Sequence, residues 1–545
     1  MSTLKQKNNW ITLILIILIL TLISGISFFK IIKKGLSLSP DSYIYLDTSQ
    51  NIYHGRGIVH SFILSSELEH WNGETSYIPV SYWAPGFPVY IYLIKTMVPN
   101  IPFTIASAIA VWVSFILTII TITLLLTRIY NFRTGLWGIL LISLFYPIIY
   151  TYSWVWSDGI VIPFMLLTLW FITENQNPNY KKLLFLAGIN AGIAFSIRYI
   201  QGILLPYGFL LIFSLGLISS KNHSFKTKMI NITLNEFTYI FGWACISAPV
   251  LIRNIIATGT IMGNSRPLNH IPVLHNLQFA LLSLIKECFP PNIIPSEIQG
   301  SLLLSFFLIC LLVFLIRRKN ISIRSFFCNR FCVMLTTWGL FYFTVVSLYA
   351  SLYQIDILGH RLLLPFTVVM LIRVSILCDK IMALPSGAIT IGAIISIFLF
   401  SFIYPCNNDF FYTTTTLSRN NVRGAWVCSN TQPGDWIMGD STFDLSVMCD
   451  NRRSLCFVPG SVRDTPPGPK EFDTFLNKIP PTTSRIFIIL RKGIPFENIY
   501  HERWIEFYGE VITELFFNRK YENLVAVSVY SEKGFLSAEI QLHEK

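Results

Sequence analysis

Apolar residues run in long blocks along most of this chain, separated by short polar loops that are often basic. A block of about 20 residues is what an α-helix needs to cross a bilayer. About eleven such spans are predicted, at 10–32, 103–128, 134–151, 158–174, 182–198, 200–219, 237–257, 300–316, 331–352, 362–378 and 384–404. The polar break at Arg198 that separates the fifth from the sixth is very short. No small-residue cleavage site follows the first block, so it reads as an uncleaved transmembrane helix rather than a signal peptide. Residues 80–99, "VSYWAPGFPVYIYLIKTMVP", are interrupted by Pro85, Gly86 and Pro88. They are predicted as an amphipathic helix at the outer interface, with Trp83, Tyr90 and Tyr92 at headgroup depth.

The pattern changes after residue 404. Turn-forming pieces such as "TQPGDW" and "DTPPGPK" separate short β-rich runs, "SRIFIIL" and "NLVAVSVY". This alternation with mixed segments predicts a small α/β domain. The expected architecture is therefore mainly α. A polytopic helical bundle occupies 1–404, including a first outer loop at 33–102, and a small α/β domain occupies 405–545.

Composition agrees with the membrane reading. Of 545 residues, 53% are hydrophobic and 13% charged, against roughly 25% charged in soluble proteins. A net charge of +12 would suggest nucleic acid in a soluble protein, but no RNA- or DNA-binding motif is present. Parity along the spans instead collects the basic residues in alternate loops. Arg128 and Arg133, then Lys181 and Lys182, then Lys221, Lys226 and Lys228, then Arg317, Arg318, Lys319 and Arg324 all fall on one side. By the positive-inside rule that side is cytoplasmic. The N-terminus is then cytoplasmic, and the first outer loop and the C-terminal domain are extracytoplasmic, where disulfides can persist. Cys406, Cys428, Cys449 and Cys456 lie there. Either Cys449 pairs with Cys456, or all four are free thiols.

Candidate chemistry gathers at the outer ends of the spans. "PDSYIYLD" begins as a helix after Ser39-Pro40, placing Asp41 and Tyr45 on one face and Tyr43 and Asp47 on another. Asp41 is either a functional acid or simply the cap of that helix. Asp158, in "SWVWSDG", opens a span, where an acid is costly unless it pairs, faces a cavity or caps the helix. Arg198 ("AFSIRYIQGILLP"), Arg253 ("IRNIIATG") and His360-Arg361 ("HRLLLP") lie at the same face. Each arginine alone could be a snorkelling anchor. Together, acids suit deprotonation of an acceptor and arginines suit a lipid phosphate.

In order and sidedness, "PDSYIYLDTSQNIYHGRG", "WAPGFPVY", "SWVWSDG", "AFSIRYIQGILLP", "IRNIIATG" and "HRLLLP" resemble the GT-C superfamily of integral-membrane glycosyltransferases. The resemblance runs from residue 10 to about 460. It is to the branch of protein O-mannosyltransferases and lipid A aminoarabinose transferases, and "GAWVCSNTQPGDWIMGDSTFDLSVMCDNRRSLCFVP" resembles the start of that branch's outer domain. The resemblance implies a polyprenyl-phosphate sugar donor and a lipid, glycan or protein acceptor. It implies catalytic roles for Asp41, as general base, and Asp158. Arg253, Arg361 and Arg198 would lie near the donor phosphate, and Tyr45, Asp47 and His360 in the acceptor or donor pocket. It also implies a bacterial inner-membrane location. Many members carry two adjacent acids in the first loop; here Ser42 follows Asp41, leaving Asp47, Glu67 or Glu74 as a second carboxylate. No obligatory metal or other cofactor is expected, although a divalent ion is compatible with the superfamily. A lipid-linked glycan flippase should show internal repeats and a charged path through the bilayer. A noncatalytic scaffold would not need Asp41 or Asp158.

Overall fold

In the computed structural model, residues 38–64, 77–219, 224–263, 271–287, 330–353 and 359–382 are described, as are parts of 414–542. The expected spans at 10–32, 300–316 and 384–404 lie outside the described residues. The chain packs as two compact units. The first comprises 1–37, 81–87 and 107–411, and the second 38–80, 88–106 and 412–545.

The first unit is helical. Its described helices are α3 (Phe103–Ile129), which begins in the second unit, α4 (Phe132–Leu144), α5 (Tyr146–Tyr152), α6 (Ile162–Thr173), α7 (Tyr180–Ile197), α8 (Leu204–Ser219), α9 (Phe225–Thr258), α10 (Val273–Glu287), α11 (Arg330–Leu352) and α12 (His360–Met382). Among the described residues, six helical segments are long and apolar enough to cross a membrane, and the protein is an integral membrane protein. The predicted span 134–151 is split at Phe145, whose backbone is extended between the two helices; Pro147 then sits in the first turn of α5, where its missing N–H costs no helical bond. The span predicted from 158 begins at Ile162, after a run of turns. Arg198 does separate two helices. Its backbone is extended (φ −155°, ψ 114°), and one short 3₁₀ stretch, Tyr199–Ile203, leads into α8. Helix α10 falls within the loop expected at 258–299.

Small residues bring the helices of this unit together. A Cβ added to Gly188 of α7 would collide with the Tyr239 carbonyl oxygen of α9, and one on Gly192 would meet the Trp243 carbonyl oxygen at 2.8 Å. In lipid no hydrophobic force drives helices together, so close backbone approach and dispersion do that work. Trp338 of α11 is fully buried, with the Tyr207 ring edge-on at 5.0 Å and its indole N–H pointing to the Met165 sulfur at 3.1 Å.

The second unit opens with α1 (Pro40–Tyr53), followed by β1 (Val59–His60), β2 (Phe62–Leu64), β3 (Ile78–Pro79) and α2 (Gly86–Met97), whose first residues belong to the first unit. Its later part holds α13 (Thr414–Asn430), β4 (Trp436–Asp440), α14 (Phe443–Met448), β5 (Arg453–Phe457), β6 (Ile486–Arg491), β7 (Lys520–Tyr521), β8 (Leu524–Glu532) and β9 (Phe535–Leu542). Seven strands form one sheet in the order β2-β5-β4-β6-β9-β8-β7. The first four are parallel, and β9, β8 and β7 run antiparallel to their neighbours. Val427 of α13 and Leu445 of α14 bury against Ile437, Phe487 and Ile489 of the sheet.

The domain boundary therefore differs from the expected 404/405. Phe62–Leu64 pairs with Ser454–Cys456, and Gln50 Nε2 donates to the Val447 carbonyl at 3.2 Å. The outer loop belongs by packing to the tail because its backbone completes the tail's sheet.

The cysteine pairing also differs. Cys428 is bonded to Cys449 across a Cα–Cα distance of 5.2 Å. The two residues sit on α13 and at the end of α14, which pack together, whereas Cys456 lies in strand β5, between β2 and β4. Cys406 lies outside the described residues. A crosslink closing a loop of this length stabilises by about 3 kcal/mol. Non-reducing peptide mapping should recover a Cys428–Cys449 peptide. Cys449→Ser should lower stability by about that amount in chemical unfolding, and Cys456→Ser should leave the crosslink in place.

Candidate functional site

At one end of the first unit's helices, Asp158 sits in the turn before α6. It does not cap α6, whose N-cap residue is Val161 without a side-chain bond. Its side chain is 0% exposed. Arg361 Nε donates to Asp158 Oδ2 at 2.9 Å, and Arg198 Nη1 pairs with Oδ1. Arg198 reaches it because α7 stops at Ile197, leaving Arg198 extended at the helix end with its N–H on the Ala194 carbonyl. Arg361 reaches it from the first turn of α12. The Arg361 guanidinium also lies over the Trp156 ring at 4.7 Å, and Trp156 stacks on Trp154 with centroids 4.8 Å apart. A lone buried carboxylate would cost several kcal/mol. Two planar forks converging on it satisfy that charge and are themselves held in fixed directions, as recognition of phosphate oxygens requires.

Arg253 is linked to the same bend. Its Nη1 donates to Asn254 Oδ1 at 3.2 Å, and Asn254, fully buried, shares hydrogen bonds of 3.0–3.1 Å with the Tyr199 hydroxyl. Tyr199 follows Arg198 directly, so two consecutive residues hold the two arginine groups. Of the sequence candidates, the structure joins Asp158, Arg198 and Arg361 directly, and Arg253 through Tyr199. Sequence reasoning gave no role to Tyr199, Asn254 or Trp156. Their adjacency to Arg198, Arg253 and Asp158 was the available signal.

Among the second unit's candidates, Asp41 occupies the first turn of α1. It is not the cap of that helix. Ser39 is, in a reciprocal capping box with Ser42. Asp41 is an acid in the first turn, where the helix N-terminus favours negative charge, and its identity is not set by the capping requirement. Tyr45 is 3% exposed and belongs to the core of this unit. Asp47 is also buried. Its Oδ2 accepts the Ser61 N–H at 2.6 Å and the Asn51 amide at 3.3 Å, tying the loop after α1 back onto the helix. Tyr45 and Asp47 are thus built into the packing of the unit. His360 opens α12, and its side chain lies outside the described residues, as do Glu67 and Glu74. Among the described residues, no three His, Cys, Asp or Glu side chains gather as a metal site would need.

The model of the dolichyl-phosphate-mannose-protein mannosyltransferase family matches residues 79–241. The crystal structure of ArnT from Cupriavidus metallidurans bound to undecaprenyl phosphate superposes with a TM-score of 0.60 at 9% identity. It covers 96% of this chain and 97% of that one. The chain has the GT-C glycosyltransferase fold. The same ArnT in the apo state gives 0.60 at 11% identity, over 98% of each chain. Comparison with curated proteins finds no match by sequence. The segment matched by the family model contains "WAPGFPVY", Asp158 and Arg198. Asp41, Arg253 and Arg361 lie outside it.

Asp47 makes the second unit sensitive to pH. Burial raises its carboxyl from 3.8 to about 6, against the pull of the Ser61 N–H, His60, the Ser61 hydroxyl and Arg56. Because the folded value exceeds the unfolded one, the native state binds more protons between these limits, and stability falls as pH rises from about 4 to about 6. The loss should be on the order of 3 kcal/mol. Asp47→Asn keeps an acceptor for the Ser61 N–H and should flatten that window in chemical unfolding measured across pH 4–7.

Proposed function

We propose that the protein transfers a sugar from a polyprenyl-phosphate carrier to an acceptor on the extracytoplasmic side. The observation that carries this reading is the pair of guanidiniums, Arg198 and Arg361, converging on Asp158 at the ends of membrane-spanning helices in a GT-C fold. A lipid phosphate travels at the depth of helix ends, and two oriented forks suit it. Arg253 contributes from the neighbouring helix end. The carrier is undecaprenyl-like, a proposal supported by the undecaprenyl phosphate bound to the ArnT of similar fold.

In the transfer, the bond from the sugar's anomeric carbon to the phosphate oxygen breaks as a bond from the acceptor oxygen forms. The electron pair leaves with the polyprenyl phosphate. Arg198, Arg361 and Arg253 stabilise that leaving group, whose charge grows in the transition state. The acceptor proton passes to the Asp41 carboxylate as general base. No metal is assigned, because the Asp158 carboxylate is committed to guanidiniums that themselves supply positive charge at the phosphate. The acceptor is a lipid, glycan or protein hydroxyl. In this reading the N-terminus is cytoplasmic and the second unit lies outside a bacterial inner membrane, an orientation that the basic loops support.

Two substitutions test the roles separately. General-base assistance is worth on the order of 10²–10⁴ in rate. Asp41→Asn should lower turnover by about that factor and leave donor affinity unchanged, and Ser39 still caps the helix in the variant. A stable Asn variant with wild-type turnover would remove Asp41 from the mechanism. Arg361→Lys keeps charge but loses the fork, and should weaken retention of a labelled polyprenyl-phosphate sugar by roughly tenfold, about 1.4 kcal/mol of a charge-assisted hydrogen bond. Unchanged retention would reduce Arg361 to a structural partner of Asp158.

A further inference from the structure

A cavity of about 490 Å³ opens at the other end of the first unit's helices. It is bounded by the segment after α6, the start of α7, the last turns of α8 and the first turns of α9. Helix α7 has 18 residues, so this cavity lies about 27 Å along the helix from Arg198, close to the thickness of a bilayer's hydrocarbon core.

Its wall carries Lys181, Lys182 and Lys228 together with Asn175, Asn231 and Asn235. Among the described lining residues none is acidic. The neighbouring acid, Glu174, is engaged elsewhere, with Arg128 at 3.3 Å and the Trp170 indole at 2.9 Å. Asn175 Nδ2 is buried and has no hydrogen-bond partner among the described residues. Asn179, the residue before α7, makes no side-chain cap; the Tyr180 N–H is on the Asn177 carbonyl at 3.0 Å, which leaves those of Lys181 and Lys182 to donate. Positive charge, a helix N-terminus and an amide donor thus converge on one space. Apolar lining is supplied by Ile212, Leu215 and Ile232.

We propose that this cavity binds the phosphate of an anionic phospholipid headgroup in the leaflet opposite the arginine cluster, with the start of an acyl chain along Ile212, Leu215 and Ile232. The polar lining recognises a phosphate monoanion through lysines and helix N–H groups. The volume matches about 16 waters at ~30 Å³ each, far more than a bare phosphate fills, and an apolar lining would be wasted on one. The lysines belong to the loops that the positive-inside count places in the cytoplasm, where acidic lipids give the surface its negative charge. The site is separate from the transfer reaction and does not depend on it.

The test uses the full chain purified in detergent, with native mass spectrometry reading retained lipid after incubation with phosphatidylglycerol, phosphatidylcholine or inorganic phosphate. Phosphatidylglycerol should be retained in preference to phosphatidylcholine. Each Lys→Gln change at 181, 182 and 228 should lower its retention roughly fivefold, the equivalent of about 1 kcal/mol per basic residue near an anionic surface, with phosphatidylcholine retention unchanged. Equal retention of the two lipids, or Lys→Gln variants that bind as wild type, would overturn the site. Displacement of phosphatidylglycerol by equimolar inorganic phosphate would show a pocket for a soluble anion and overturn the lipid assignment. Should a variant fail to stay monodisperse, the wild-type comparison of the two lipids still decides.

Discussion

A carboxylate buried at the end of a membrane bundle has to be neutralised where it stands, because neither water nor a flexible loop can reach it. Asp158 meets that constraint with two guanidiniums, Arg198 and Arg361. The consequences spread through the first unit. Arg198 reaches the acid only because α7 breaks at Ile197, and Arg361 only because α12 begins at His360. Removing the acid would leave two guanidiniums facing each other in a low-dielectric setting, a cost on the order of 3–5 kcal/mol for one broken buried pair. The same arrangement that solves the folding problem fixes two planar donors in direction, which is what phosphate recognition needs.

The rest of that unit is held by a different force. Helices surrounded by lipid gain nothing from hydrophobic exclusion, and the α7–α9 contact shows what replaces it. Gly188 and Gly192 lie so close to the Tyr239 and Trp243 backbone that no side chain fits between. Close approach multiplies weak dispersion contacts. The 18 residues of α7 set its two ends about a membrane thickness apart, one beside the arginines and the other beside Lys181 and Lys182. A single rigid helix thus separates two basic sites of unlike composition: forks and aromatic rings at one end, lysines and asparagines at the other.

The second unit rests on aqueous physics. Its sheet alternates buried apolar residues against α13 and α14, and it closes a disulfide between those helices. Its edge strand β2 comes from a loop that precedes most of the membrane-spanning helices in the chain, while the other strands of that sheet follow them. Parallel pairing requires a long connection, and in this chain the membrane helices themselves supply it. Asp47, buried beneath the loop leading to β2, contributes by anchoring the Ser61 backbone, and its raised pKa is the cost of that position.

The sequence by itself determined the class of the protein. Twenty-residue apolar blocks can only be helices in a bilayer, since every backbone donor must be satisfied within the segment, and this located α3, α7, α8, α9, α11 and α12. It also placed Asp158, Arg198 and Arg361 at helix ends, because charges cannot sit elsewhere cheaply. Only the tertiary structure decided that these three touch, that Ser39 and not Asp41 caps α1, that Asp47 is a tether, that Cys428 and not Cys456 pairs with Cys449, and that Phe62–Leu64 joins a sheet nearly 400 residues away. The physical reason is range. Hydropathy and capping are local and leave a periodic or positional trace, whereas an ion pair or a strand pairing depends on where distant backbones meet, and no single segment encodes that.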